Sequence, residues 1–142
     1  MKKSMIFASI LLCVTHSEAS EIEWNMCEFY AKRFSQYAYQ YGEMMGKIID
    51  KSTPNSIERK DLIDIFMKSW SALEDSEYLV GKELEKSYRS EGKSNSYIAL
   101  VSAIRAHSLR VAKHLSLTEH GQSINFYQRR IETQCRAGGT VK

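Results

Sequence analysis

The feature that most constrains the fold is an unbroken helical repeat of apolar residues in the N-terminal half. Between Glu23 and Asp50 the apolar positions alternate in steps of four and three residues; they are Cys27, Ala31, Phe34, Ala38, Tyr41, Met45 and Ile48. Such steps place side chains on one face of an α-helix. The stretch therefore predicts a long helix with one buried face. Gly42 and Gly46 lie beside that face, where another helix can approach closely.

Three further segments have the same apolar spacing and predict three more helices. The second follows a turn at 53–55, where Thr53 or Asn55 is the predicted N-cap, and it extends to about Ser90. A polar loop at 90–96 precedes the third, and a capping box at 116–119 predicts the start of the fourth. No segment has the alternating pattern of a strand. The predicted fold is all-α, an up-down-up-down four-helix bundle.

The N-terminus has the three parts of a secretory signal peptide. Lys2 and Lys3 are basic, residues 4–14 are apolar, and residues 17–19 form a small-x-small cleavage site. The apolar run is too short to span a membrane, which takes about 20 residues. We expect a signal peptide at 1–19, a single helical domain at 20–142 and no transmembrane segment in the mature chain. The short basic start is typical of bacterial export, and the predicted location is the periplasm.

The two cysteines of the mature chain predict one disulfide bond. Cys13 is removed with the signal, which leaves Cys27 near the start of the first helix and Cys135 near the end of the fourth. Export to an oxidising compartment favours their pairing. In an up-down-up-down bundle these two positions lie at the same end. The bundle topology and the disulfide therefore support each other.

The second helix leaves two interpretations open. It can break near residues 70–77, where a second helix-start pattern occurs and apolar residues are scarce, and a fifth helix then folds back onto the core. If it stays straight, the tip of the first hairpin extends past the shorter third and fourth helices. The tip would then be an apolar surface for a partner. The partner-binding residues predicted for this surface are Tyr41, Met44, Met45, Phe66, Met67 and Trp70.

No motif for catalysis, cofactor binding or metal binding occurs in the chain. The nucleophile-elbow, zinc-protease, phosphate-loop and dinucleotide patterns are absent from the sequence. His107 and His114 are two helical turns apart, too far to share a metal, and His120 lies beyond them. We expect no catalytic residue, no cofactor and no metal site. The formal net charge of +3 indicates no particular partner, and export excludes nucleic acid as a natural one.

These observations predict an exported, non-enzymatic protein-binding module: a periplasmic accessory, inhibitor or immunity-type protein that docks through an apolar helical-hairpin surface. The expected partner is another exported or envelope protein, or a second copy in a homodimer. The alternative is a periplasmic stress chaperone that exposes apolar surface when its packing loosens.

Overall fold

The computed structural model describes the backbone of residues 2–138 and the side chains of residues 24–138. It contains four α-helices: α1 (Lys2–Lys51), α2 (Ile57–Ser90), α3 (Asn95–Thr118) and α4 (Ile124–Arg136). The described residues form no strand. The predicted all-α class and helical bundle are confirmed. The predicted signal peptide at 1–19 lies outside the described side chains, so export stays a prediction.

Three helices begin with the same serine cap. The hydroxyl oxygens of Ser56, Ser94 and Ser123 accept a hydrogen bond from the backbone N–H three residues later and start α2, α3 and α4. The predicted caps at Thr53 and Asn55 were therefore wrong. Asn55 instead has a φ of 60°, in the left-handed region that asparagine tolerates in turns.

The predicted start of the fourth helix at Ser116 was also wrong. Ser116 is fully buried inside α3, and its hydroxyl donates to the carbonyl of Lys113 within the same helix. Leu115 and Leu117 continue to pack onto α1, so α3 extends to Thr118. As a result α3 is longer, and α4 shorter, than the sequence suggested.

Contacts between neighbouring helices show their relative directions. Tyr41 of α1 contacts Ser69 of α2, whereas the earlier Arg33 contacts the later Glu77, so α1 and α2 run antiparallel. Glu77 of α2 bonds to Arg105 of α3, whereas the later Tyr88 packs on the earlier Tyr97, so α2 and α3 also run antiparallel.

The disulfide joins the first and last helices as predicted. Cys27 and Cys135 are bonded, with their Cα atoms 5.6 Å apart. At the other end of α4, the Tyr127 ring lies against Gly42 of α1, where an added Cβ would lie 2.4 Å from the phenol oxygen. The close approach predicted at Gly42 is therefore made by α4.

The main core lies between α1, α3 and α4. Its largest fully buried side chains include Tyr30 and Phe34 of α1, Leu115 of α3 and Tyr127 of α4. From α2, only Phe66, Trp70 and Glu77 are buried. α2 thus packs on the outside of a three-helix core.

α2 is one continuous helix, so the predicted break near residues 70–77 and the five-helix alternative are not supported. The acidic stretch does not become a loop because two of its carboxylates meet partners and one of them, Glu77, is buried. Glu74 accepts from the Trp70 indole at 2.7 Å, and Glu77 bonds to both α1 and α3. Sequence periodicity alone does not reveal that cations from other helices neutralise these acids.

Candidate binding site

The six residues predicted as the partner surface lie together around the α1–α2 hairpin, but most of them are internal. Phe66 and Trp70 are 0% exposed and Met45 is 5% exposed. The ring of Tyr41 packs edge-on against Phe66 and Trp70, with centroids 5.3 and 4.8 Å away. In this conformation these four side chains stabilise the hairpin.

Only Met44 and Met67 of that set have substantial exposure. Leu117 at the end of α3 packs on the hairpin tip beside Met45, Ile48 and Phe66. The longer α3 therefore covers part of the surface that the sequence suggested would be open. Partner contact by the six residues stays a prediction.

A buried carboxylate links α2 to both of its neighbours. The Oε1 atom of Glu77 accepts from Arg33 Nη2 at 2.9 Å and from the Tyr37 hydroxyl at 3.1 Å, both on α1. Its Oε2 atom accepts from Arg105 Nη2 on α3. The Glu77 side chain is 4% exposed. We call Glu77, Arg33, Tyr37 and Arg105 the Glu77 cluster.

The charges of this cluster shift the ionisation of its members. Burial alone would raise the pKa of Glu77, but the hydrogen bond and charge of Arg33, with help from Tyr37 and Arg105, lower that pKa below its ordinary value of 4.5. Burial and the adjacent carboxylate raise the pKa of the Tyr37 phenol above 10.0. Glu77 is therefore a carboxylate and Tyr37 a neutral donor at neutral pH.

Glu77 and Arg105 of this cluster also line a groove of about 670 Å³ between α2 and α3. Its volume falls in the range of small-molecule sites, about 300–1,000 Å³. Apolar and aromatic side chains form much of its surface: Tyr30, Tyr78, Leu84, Tyr88, Val101, Ala106 and Leu109. Arg105 lies in the groove against Gly81, where an added Cβ would lie 2.4 Å from Arg105 Nη1. The missing side chain at Gly81 therefore makes room for the guanidinium.

The outward side of α2 has large apolar residues in contact with solvent. Of the eleven exposed large apolar side chains in the described part of the chain, α2 contributes six: Ile57, Ile65, Met67, Tyr78, Leu79 and Val80. We call these six the α2 apolar face. Ile65 and Leu79 are 59% and 65% exposed, and Ala72, also exposed, lies midway between them. Spacing by seven places Ile65, Ala72 and Leu79 near one line along the helix.

The described side chains offer little for a metal site or a membrane-spanning helix. No three of their His, Cys, Asp or Glu residues lie close enough to hold a metal ion. His107 is buried, and its Nε2 atom lies 3.4 Å from the Gln134 carbonyl oxygen, whereas His114 is exposed. None of the described helices is long and apolar enough to cross a membrane.

Comparison with known proteins finds no matching family model, no similar curated protein and no similar solved structure. The function of the chain must therefore be argued from its own surfaces.

The sequence interpretation did not find the groove or the Glu77 cluster. Polar residues surround Glu77 in the sequence, a pattern typical of a solvated acid. One signal was available: Glu77 follows Phe66, Trp70 and Leu73 on one helical face, in steps of four, three and four. A charged residue in register with an apolar stripe indicates a buried partner of opposite charge.

Proposed function

We propose that the chain is an exported, non-enzymatic protein-binding module of the periplasm, and that it docks on its partner through the α2 apolar face. The observation that carries this proposal is the concentration of exposed large apolar side chains on one helix. Single exposed apolar residues are normal on any protein, but several on one helix, with Ile65, Ala72 and Leu79 near one line, are typical of an interaction surface.

The surroundings of the α2 apolar face also suit an interface. Charged side chains alternate with the apolar ones, and an exposed Lys68–Asp64 ion pair of 2.8 Å lies beside Ile65. Protein interfaces combine an apolar centre with a polar, solvated rim. By contrast, no large apolar residue of α3 is fully exposed in this way, because α3 faces the core on most sides.

The structure also gives the face a fixed position. Phe66, Trp70 and Glu77 anchor the inward side of α2 to α1 and α3. Because α2 is already folded and held in place, no new helix has to form when a partner binds. This lowers the entropic cost of association. The expected partner is another exported or envelope protein, or a second copy of this chain.

Site-specific photo-crosslinking in cells that export the protein tests the proposal. A photoreactive residue replaces Leu79 in one variant and Ile124, an exposed apolar residue of α4, in the matched control. We expect one adduct of defined mass from position 79 and none from position 124. The change Ile65→Glu in the position-79 variant should abolish that adduct.

An adduct of twice the chain mass would identify a second copy as the partner, and any other single mass would identify a different protein. Equal adduct patterns from positions 79 and 124, or no adduct from position 79, would contradict the proposal.

A second candidate is a stress chaperone, and the Glu77 cluster favours it. The buried contacts of Glu77 depend on an ionised carboxylate that accepts from Arg33, Tyr37 and Arg105. Protonation by acid would weaken these contacts and release apolar surface. This function predicts binding to several unfolded client proteins that increases below about pH 4.5, near the ordinary pKa of Glu. Tight binding to one folded protein at neutral pH would exclude it.

A further inference from the structure

The charges that line the α2–α3 groove do not balance. All three carboxylates of the groove have a basic partner. Glu74 pairs with Lys113 at 3.2 Å, and Glu85 pairs with Lys82 at 3.7 Å. Glu77 pairs with both Arg33 and Arg105. Arg110 also lines the groove, and no acidic group of the described residues lies within 4.0 Å of its guanidinium. The acids of the groove are thus all occupied, whereas its cations are in excess.

Arg105 is the least exposed of the groove's cations. Arg105 is 8% exposed, and its Nε lies buried without a hydrogen-bond partner among the described residues. Arg105 shares the single carboxylate of Glu77 with Arg33, whose side chain is 39% exposed and lies outside the groove. A buried positive charge without a full complement of acceptors favours an anion.

The rest of the groove favours an apolar body attached to that anion. Tyr30, Leu84, Tyr88, Val101 and Leu109 line it, and the groove is open along one side, between α2 and α3. The volume of about 670 Å³ holds a small molecule. Charged side chains complete the lining, and apolar walls with a few polar groups that fix the orientation of the ligand are the usual design of a small-molecule site.

We infer that the α2–α3 groove binds a free acidic amphiphile, an alkyl carboxylate. Its head group pairs with Arg110 and the guanidinium of Arg105, and its chain lies against Tyr88, Val101 and Leu109. This site shares Tyr78 with the α2 apolar face, but Ile65 and Leu79 do not line the groove.

Titration calorimetry of the full mature, oxidised protein with decanoate tests the inference. Decanol, which has the same number of carbons but no charge, is the control ligand. We expect saturable binding of one decanoate per chain and an affinity for decanol lower by about tenfold or more, since hydrogen bonds to charged groups are the stronger ones. Equal affinities for the two compounds, or no binding of decanoate, would overturn the inference.

Two pairs of variants locate the site on the protein. Ala106→Phe places a ring in the groove, and the control Ala103→Phe changes another exposed alanine of α3 that does not line it. Arg110→Gln removes the unpaired cation, and the control Arg129→Gln removes an exposed arginine of α4. All four positions are at the surface, so the variants should fold.

We expect Ala106→Phe to abolish decanoate binding and Arg110→Gln to weaken it about tenfold, with both controls unchanged. Backbone NMR shifts on adding decanoate should be largest in the α3 segment 101–110. Equal effects of a variant and its control, or shifts confined to other helices, would contradict the assignment. None of these variants changes the α2 apolar face, so loss of decanoate binding and loss of partner crosslinking are separable results.

Discussion

Arg105 of α3 and Glu77 of α2 form an ion pair that is almost entirely removed from solvent, with their side chains 10% and 4% exposed. Arg33 of α1 contacts the same carboxylate, so one acidic residue joins three helices. Few apolar side chains of α2 are buried, and this pair therefore has a large share in fixing the position of the helix.

Replacement of Glu77 by glutamine should destabilise the protein strongly. The amide cannot neutralise Arg105, and breaking a buried ion pair costs about 3–5 kcal/mol in unfolding free energy. Urea denaturation at pH 7 measures the loss. The control Glu83→Gln removes an exposed acid that pairs with Lys86 at 3.0 Å, and it should cost less than about 1 kcal/mol. Similar losses for the two variants would show that the cluster does not hold α2.

The stabilisation by Glu77 should disappear in acid. Its pKa in the folded chain is below the ordinary value of 4.5, so the ionised form binds its partners and its contribution is fully present above that value. The contribution falls as the pH drops below 4.5 and is lost once the pH passes the lower, folded-state pKa. The unfolding free energies of the wild type and Glu77→Gln, measured from pH 7 to pH 2.5, should therefore converge at the acidic end. A difference that stays constant over this range would contradict the ionised cluster.

Two glycines of α1 should respond in opposite ways to alanine. Gly42→Ala would place a Cβ 2.4 Å from the Tyr127 hydroxyl, which donates to the Glu119 carbonyl and lies in a packed contact between α1 and α4. We expect a loss of about 1–3 kcal/mol, as for overpacked cores. At Gly46 the nearest atom would be the His120 Cβ at 3.8 Å, an ordinary contact.

Gly46→Ala should therefore gain up to about 1 kcal/mol from the higher helix propensity of alanine. Thermal unfolding of both variants measures the difference. A stabilising Gly42→Ala would mean that α4 does not approach α1 as closely as described.

Loss of the disulfide should lower stability without removing the helices. The bond joins residues 108 positions apart, and in the chain-entropy model closure of such a loop is worth about 4–5 kcal/mol. The double variant Cys27→Ser, Cys135→Ser should unfold at a much lower urea concentration than the oxidised protein. A reducing agent should lower the stability of the wild type to that of the double variant and leave the double variant unchanged. A loss below about 1 kcal/mol would indicate that the ends of α1 and α4 are held mainly by packing.

The apolar pattern of the chain was sufficient to predict the helices, and its two remaining cysteines were sufficient to predict the disulfide. The stripe from Cys27 to Ile48 lies on the buried face of α1, and Cys27 pairs with Cys135 as expected. Helix ends were less predictable because several serines offer similar capping signals. Ser116 matches a capping box, yet tertiary packing of Leu115 and Leu117 keeps the residue inside α3.

The candidate site was less predictable than the fold for a physical reason. Phe66 and Trp70 are large and apolar, and the sequence cannot tell whether such residues face a partner or the rest of their own chain. Likewise, the burial of Glu77 depends on Arg33 and Arg105, which lie 44 and 28 residues away along the chain. Both questions are decided by tertiary packing.

Binding of a protein partner by the α2 apolar face can be tested through the affinity of that partner for two matched variants. Calorimetry would compare Leu79→Glu with Ile124→Glu, using the protein identified by crosslinking at position 79. If that protein is a second copy of the chain, the dimer dissociation constant from light scattering takes its place. We predict that Leu79→Glu weakens binding at least about tenfold, as changes at the centre of an interface do. Ile124→Glu should leave the affinity unchanged. Equal affinities for the two variants would show that the α2 apolar face does not bind the partner.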